Sequence, residues 1–219
     1  MEENKKILEV FAGSRSIGNK AEQLGMNVFS VDWTPYDKID LVIDVEEMQI
    51  EHVPFTPDFG WFSPDCTTYT IAAISTHRNG TDPKSEYAKK CDKVNKHFIE
   101  LINKWLKINP DFVFFIENPR GMLRHMPFMK YFKRHTVWYC QYGDDRAKPT
   151  DIWTNSKNWI PRPMCKNYKY DVDGNIIDKH CHHESARRGA KTGTQGKKGS
   201  YERSKIPEQL CEEILKSIL

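Results

Sequence analysis

A solid apolar run at Phe112–Glu117 (FVFFIE) limits the fold of this chain more than any other feature. A strand with one wet face alternates polar and apolar residues. This run has no polar position before its last residue, so it predicts a central strand covered on both sides. Four further strand patterns precede it, at Lys6–Ala12 (KILEVFA), Asn27–Asp32 (NVFSVD), Leu41–Val45 and Gly60–Ser63. Between them, Asn19–Leu24 reads as a short helix closed by Gly25, a residue suited to the left-handed position after a helix end. The best helix is Ser85–Ile108, where Tyr87, Cys91, Val94, Phe98, Leu101 and Trp105 recur at steps of three or four and predict the buried stripe. Thr136–Gln141 and Thr150–Trp153 read as later strands. Strands alternating with helices predict an α/β fold, a parallel or mixed sheet with helices on both faces.

In such sheets ligands bind at the C-terminal ends of the strands, so the residues delivered there matter most. The first strand runs into Phe11-Ala12-Gly13-Ser14-Arg15-Ser16-Ile17-Gly18. Its glycines allow close backbone approach, and a helix start offers N–H groups to an anion. The spacing is not GxGxxG and no P-loop lysine follows, which argues against dinucleotides and nucleoside triphosphates. Asp32 ends the second strand about twenty residues on, where a carboxylate takes ribose hydroxyls. Trp33 beside it offers a face to adenine, and Asp44 after the third strand offers an acceptor to an exocyclic amine. Three successive strand ends thus describe a nucleoside site without a phosphate requirement. S-adenosyl-L-methionine (AdoMet) fits it, with its carboxylate near the Gly13–Gly18 turn and with Phe11, Ala12, Gly13, Ser14, Ile17, Asp32, Trp33, Asp44 and Pro64 as cofactor residues.

The next two strands bring chemistry to the same edge. One delivers Ser63-Pro64-Asp65-Cys66 and the other Glu117-Asn118-Pro119-Arg120. A cysteine at a strand end is ordinarily a small buried hydrophobe. Here it is expected beside a carboxylate and a cofactor site, with Arg120 or Arg146 near enough to favour the thiolate that acts as nucleophile.

The order Phe-Ala-Gly, Asp-Trp, Ser-Pro-x-Cys, Glu-Asn-Pro resembles the DNA (cytosine-5) methyltransferases, in particular their short phage-borne members, from Leu8 to about Trp153. The resemblance implies a Rossmann-like AdoMet-dependent methyltransferase fold with a small irregular insert. It implies a base flipped out of duplex DNA, Cys66 adding to C6 of cytosine, Glu117 contacting N3 and the amino group, and methyl transfer to C5. Arg146 is carried over as a catalytic residue, and Asn118 and Arg120 as substrate contacts. The pattern departs from the family at Asp65, where a proline usually precedes the cysteine; a carboxylate there disfavours the thiolate unless it is paired or turned away. The departure keeps open a related C5 pyrimidine transferase with another substrate or a modified donor, and a weakly catalytic DNA-binding protein on the same fold.

The periodic pattern breaks after Asn155 and returns at Pro207–Leu219, a closing helix with Leu210, Ile214 and Leu215 on one face. The expected division is a catalytic domain at 1–155, a small target-recognition insert at 156–200 and a C-terminal return at 201–219. Cys165, His180, Cys181, His182 and His183 make the insert a candidate structural zinc site, with Cys165, Cys181, His182 and His183 as ligands. Between Lys179 and Arg203 the only acids are Glu184 and Glu202. In this basic stretch Arg187, Arg188, Lys191, Lys197 and Lys198 are expected to meet the phosphates of double-stranded DNA.

The chain of 219 residues can bury a full core without disulfides. It has no run of eighteen apolar residues, so no membrane span is expected. The charged start Met-Glu-Glu-Asn-Lys-Lys is not a signal peptide, and a cytoplasmic location in a bacterial or phage-infected cell follows as the default, with the six cysteines reduced.

Overall fold

The structure, a computed structural model, describes residues 4–166, 168–170, 172, 173, 175–179, 181, 183 and 199–219. In chain order its strands and helices are β1 (Lys6–Val10), α1 (Ser16–Gln23), β2 (Asn27–Asp32), β3 (Leu41–Val42), β4 (Phe59–Phe62), α2 (Ile74–His77), β5 (Arg78–Asn79), β6 (Asp82–Pro83), α3 (Glu86–Ile108), β7 (Val113–Pro119), β8 (Arg134–Trp138), β9 (Pro149–Thr154), β10 (Tyr168–Tyr170), β11 (Ile176–Lys179), α4 (Ser200–Ser204) and α5 (Glu208–Lys216). Seven strands form one sheet in the order β3-β2-β1-β4-β7-β9-β8. The first five run parallel, β9 runs against β7, and β8 runs against β9. The mixed α/β class expected from the sequence is the class observed.

The pleat sorts the strand side chains onto two faces. Leu8, Val10, Phe62, Phe114 and Ile116 join the core under α3, where Phe98, Leu101, Ile102 and Trp105 are buried. Ile7, Phe59, Trp61 and Phe115 face the other way, onto Ile17 and Ala21 of α1 and Leu210, Ile214 and Leu215 of α5. Burying each large apolar side chain contributes about 1.5–3 kcal/mol. Four on α3 therefore hold it more strongly than its helix propensity does.

Local signals set the helix ends. Ser85 caps α3, its hydroxyl accepting from the Ala88 amide at 3.1 Å. The helix stops at Asn109, the residue before Pro110 and so biased away from helical backbone. Gly25 follows α1 at φ 77°, the left-handed position expected of it. Tyr87 departs from the predicted stripe: it is exposed, and Ala88 and Asn95 are buried instead.

The strand expected over Thr136–Gln141 ends at Trp138, and Tyr139–Tyr142 coil into a 3₁₀ turn. That turn meets the end of β7, where Tyr139 bonds Glu117. The insert contributes a short antiparallel pair, β10 with β11. Among the described residues, no helix is long and apolar enough to cross a membrane.

Candidate active site

The turn after β1 is wound tightly. Phe11, Gly13 and Arg15 all have left-handed backbones, with φ of 59°, 49° and 52°. Only glycine takes that conformation without cost, so Phe11 and Arg15 are held in it by their surroundings. Asp32 supplies part of the hold. One of its carboxylate oxygens accepts from the Gly13 amide at 2.9 Å, the other from the Thr34 amide at 2.8 Å. Arg15 is buried, donating to Ser30 Oγ at 2.8 Å and to Glu22 at 2.6 Å.

The start of α1, expected to meet the carboxylate of a ligand, is taken by a carboxylate of the chain itself. Glu9 of β1 accepts from the Ile17 amide at 3.1 Å and the Gly18 amide at 3.0 Å. Burial pushes Glu9 up to about 7, against the pull of these amides and of Arg15. The Ile17 side chain is itself in the core against α5, and Ala12 is buried. Ser14 is half-buried, its hydroxyl 2.9 Å from that of Ser16.

An open cleft lies beside this turn. Phe11, Trp33, Asp44 and Pro64 line it, four of the residues expected there from sequence, joined by Tyr87 and Lys90 of α3. Trp33 is 71% exposed at its mouth. Asp44 accepts from Lys90 Nζ at 2.7 Å and from the Glu46 amide at 3.1 Å. Partial burial works to raise its pKa, but these two donors outweigh burial and hold it below the ordinary value.

The cysteine and the glutamate singled out from the sequence follow adjacent parallel strands. Phe62 and Ile116 are register partners; Cys66 lies four residues beyond the first and Glu117 one beyond the second. Asn118 joins the two segments, donating to the Pro64 carbonyl at 2.9 Å from a fully buried position. Its Oδ1 has no hydrogen-bond partner among the described residues.

Glu117 is buried, and Tyr139 donates to its Oε1 at 2.8 Å. Lys148 Nζ stands 3.9 Å from the same oxygen and 4.5 Å from the centre of the Tyr139 ring. Burial pushes the Cys66 thiol up to about 11, the charges of Asp65 and Glu117 add to this, and Lys148 pulls the other way.

Asp65 is paired: it accepts from the Thr67 amide at 2.6 Å and from the Tyr87 hydroxyl at 2.8 Å. The loop after Cys66 rests on a buried polar cluster. Arg78 donates to the Thr68 carbonyl at 2.9 Å and to Asp92 at 2.6 Å, and Tyr69 donates to Asp92 at 2.7 Å.

The cation near the thiol is thus Lys148. Arg146 is committed to Asp144 through Nε at 2.9 Å and Nη2 at 2.6 Å, and Arg120 is exposed. Sequence reasoning passed over Tyr139, and it gave the cationic role to Arg146 and not to Lys148. The tyrosine lies in a turn that reads as strand, and the lysine stands two positions from the arginine that the resemblance favoured. Cys165, Cys181 and His183 come together in the insert, joined by Cys140. His180, His182, Arg187, Arg188, Lys191, Lys197 and Lys198 lie outside the described residues.

No family model matches the chain, and no curated protein matches it. Solved structures do. A methyltransferase of Entamoeba histolytica, EhMeth, superposes with a TM-score of 0.54 at 18% identity, over 75% of this chain and 58% of that one. DNMT2 of Spodoptera frugiperda superposes at 0.48 with 15% identity, over 74% and 54%. The Dnmt2 methyltransferase of S. pombe gives 0.47 and 11%, over 69% and 49%. The likeness to the Entamoeba protein shows a shared Rossmann-like fold, and the chain spans less than two thirds of that protein's length.

Proposed function

We propose that this chain transfers a methyl group from AdoMet to C5 of cytosine in double-stranded DNA through a covalent adduct of Cys66. The observation that carries this is the placing of Cys66 and Glu117 on adjacent strand ends, with Lys148 acting on both. The cleft beside them suits the cofactor. Trp33 offers an open aromatic face, Asp44 an acceptor, and Phe11 and Pro64 apolar walls. AdoMet, when bound, supplies the electrophilic methyl.

Cys66 loses its proton and its sulfur bonds to C6, so that an electron pair moves to C5 of the ring. Glu117, oriented by Tyr139, contacts N3 and the amino group, where charge changes as the adduct forms. Lys148 offsets the negative charges around the thiolate. Asn118 holds the Pro64 carbonyl and so fixes the Cys66 loop against β7. After C5 has taken the methyl, loss of the C5 proton restores the ring double bond and expels Cys66. DNA as the substrate is supported by the basic Lys179–Arg203 stretch.

Nucleoside mass spectrometry of DNA incubated with protein and AdoMet tests this, with Cys66→Ser in parallel. Methylated cytosine is expected with the wild type alone. Unmodified DNA from a protein that binds AdoMet would overturn the assignment of substrate, and product from Cys66→Ser would overturn the covalent route.

A further inference from the structure

Four soft ligands converge where the insert meets the sheet. The sulfurs of Cys140, Cys165 and Cys181 and a ring nitrogen of His183 all lie within 4.8 Å of one another. His183 Nδ1 is 3.1 Å from Cys181 Sγ and 3.7 Å from Cys165 Sγ. Cys140, Cys181 and His183 are buried and Cys165 is half-buried. A tetrahedral zinc with Zn–S distances of about 2.3 Å needs ligand atoms roughly 3.7 Å apart. The observed spacings bracket that value, and the widest closes by a contraction of about 1 Å.

We infer that Cys140, Cys165, Cys181 and His183 bind one structural zinc ion that clasps the insert to the catalytic body. Four protein ligands close the coordination sphere, which marks a structural rather than a catalytic ion. Three thiolates and an imidazole select zinc among the common divalent metals by softness and geometry. Gln141 Nε2 stands 3.9 Å from both Cys140 Sγ and Cys181 Sγ, an outer donor aimed at two of the ligand sulfurs.

The fold gives the ion a task. Among the described residues the insert has one strand pair, β10 with β11; it falls between Cys165 and Cys181, and an isolated two-stranded pair is marginal in water. Cys140 belongs instead to the turn after β8, next to Tyr139, which donates to Glu117. One ion thus ties the insert to the turn that orients the catalytic carboxylate. The ligand set differs from the sequence expectation by including Cys140 and leaving out His182, and it stands apart from the methyl-transfer proposal.

The test is metal analysis of tag-free protein purified under reducing conditions. One zinc per chain is expected in the wild type, Cys66→Ser, Cys91→Ser and His182→Ala, and loss of zinc in Cys140→Ser. Cobalt(II) added to chelator-stripped wild type is expected to give thiolate charge-transfer bands and the intense visible absorption of a tetrahedral site. This second readout does not depend on the folding of any variant. Full zinc in Cys140→Ser, iron in place of zinc, or a wild type that takes up neither zinc nor cobalt with its thiols reduced would overturn the assignment. Zinc content is read without activity, so an inactive protein carrying one zinc leaves this site standing while the methyl-transfer proposal fails.

Discussion

Lys148 Nζ stands 3.9 Å from Glu117 Oε1 while it donates to the carbonyl of Arg203 at 3.1 Å. Burial pulls the lysine pKa down, and Glu117 works in the opposite sense. One buried lysine therefore acts on a carboxylate and a thiol at once. Lys148→Met should slow Cys66 alkylation at neutral pH by about tenfold, the scale of one adjacent opposite charge. Peptide-resolved iodoacetamide labelling at about pH 7 reads this directly. An unchanged rate in a folded variant would show that Lys148 does not act on the thiol.

Tyr139 is the second partner of Glu117. Tyr139→Phe removes one hydrogen bond to a buried carboxylate, worth about 1.5–3 kcal/mol. Stability in urea should fall by that order, and single-turnover methyl transfer should slow by about tenfold or more. Unchanged turnover in a folded variant would count against a role in orienting Glu117.

Trp33 separates binding from folding. Its ring is 71% exposed, so Trp33→Ala should leave stability within about 0.5 kcal/mol. An aromatic stack contributes about 0.5–1.5 kcal/mol, so AdoMet should bind roughly 2–10 times more weakly by calorimetry. Equal affinity would move the adenine elsewhere in the cleft.

Glu9 makes stability depend on pH. Its folded value is near 7, against an ordinary 4.5. Between those values the native state holds a proton that the unfolded chain has released, so this group's contribution falls as pH rises through the window and is level above it. Glu9→Gln removes the titration. The stability of the wild type relative to Glu9→Gln should therefore drop between pH 4.5 and pH 7, by about 3 kcal/mol at most. Parallel urea curves for the two proteins across that window would refute the buried titration.

Gly121 lies close against the loop that follows Cys66. A Cβ there would stand 2.3 Å from the Tyr69 carbonyl oxygen, a backbone atom that cannot rotate away. Gly121→Ala should destabilise by about 1–3 kcal/mol. It should also lower methyl transfer, because Tyr69 lies three residues past Cys66. Full activity at a reduced melting temperature would mean that the strain is absorbed away from Cys66.

Much of this was legible in the residues. FVFFIE reads as a strand because burial on both faces leaves an unbroken apolar run, KILEVFA as a shorter, mostly apolar run, and α3 as a helix by its apolar steps of three or four. Cys66 and Glu117 stood out because a parallel sheet sends its strand ends to one edge. Other parts depended on tertiary context. YCQY carries strand-forming residues, and only its packing shows the turn that places Cys140 and Tyr139. Cys140 precedes Cys165 by twenty-four intervening residues, a spacing that matches no local metal motif. Glu9 looks misplaced in a buried strand until the first amides of α1 are seen to donate to it.

Arg162, early in the insert, and Arg203, just past its end, are fastened to the same short segment of the body. On the way in, Arg162 donates its amide to the Tyr142 hydroxyl at 2.8 Å. On the way out, the Arg203 carbonyl accepts from Arg146 at 3.2 Å and from Lys148. A loop with both feet planted can change length at little thermodynamic cost, since closure entropy grows only with the logarithm of its size. Chain entropy therefore sets little limit on the length of the stretch between Arg162 and Arg203, whereas Cys165, Cys181 and His183 within it must keep the places that bring them to Cys140.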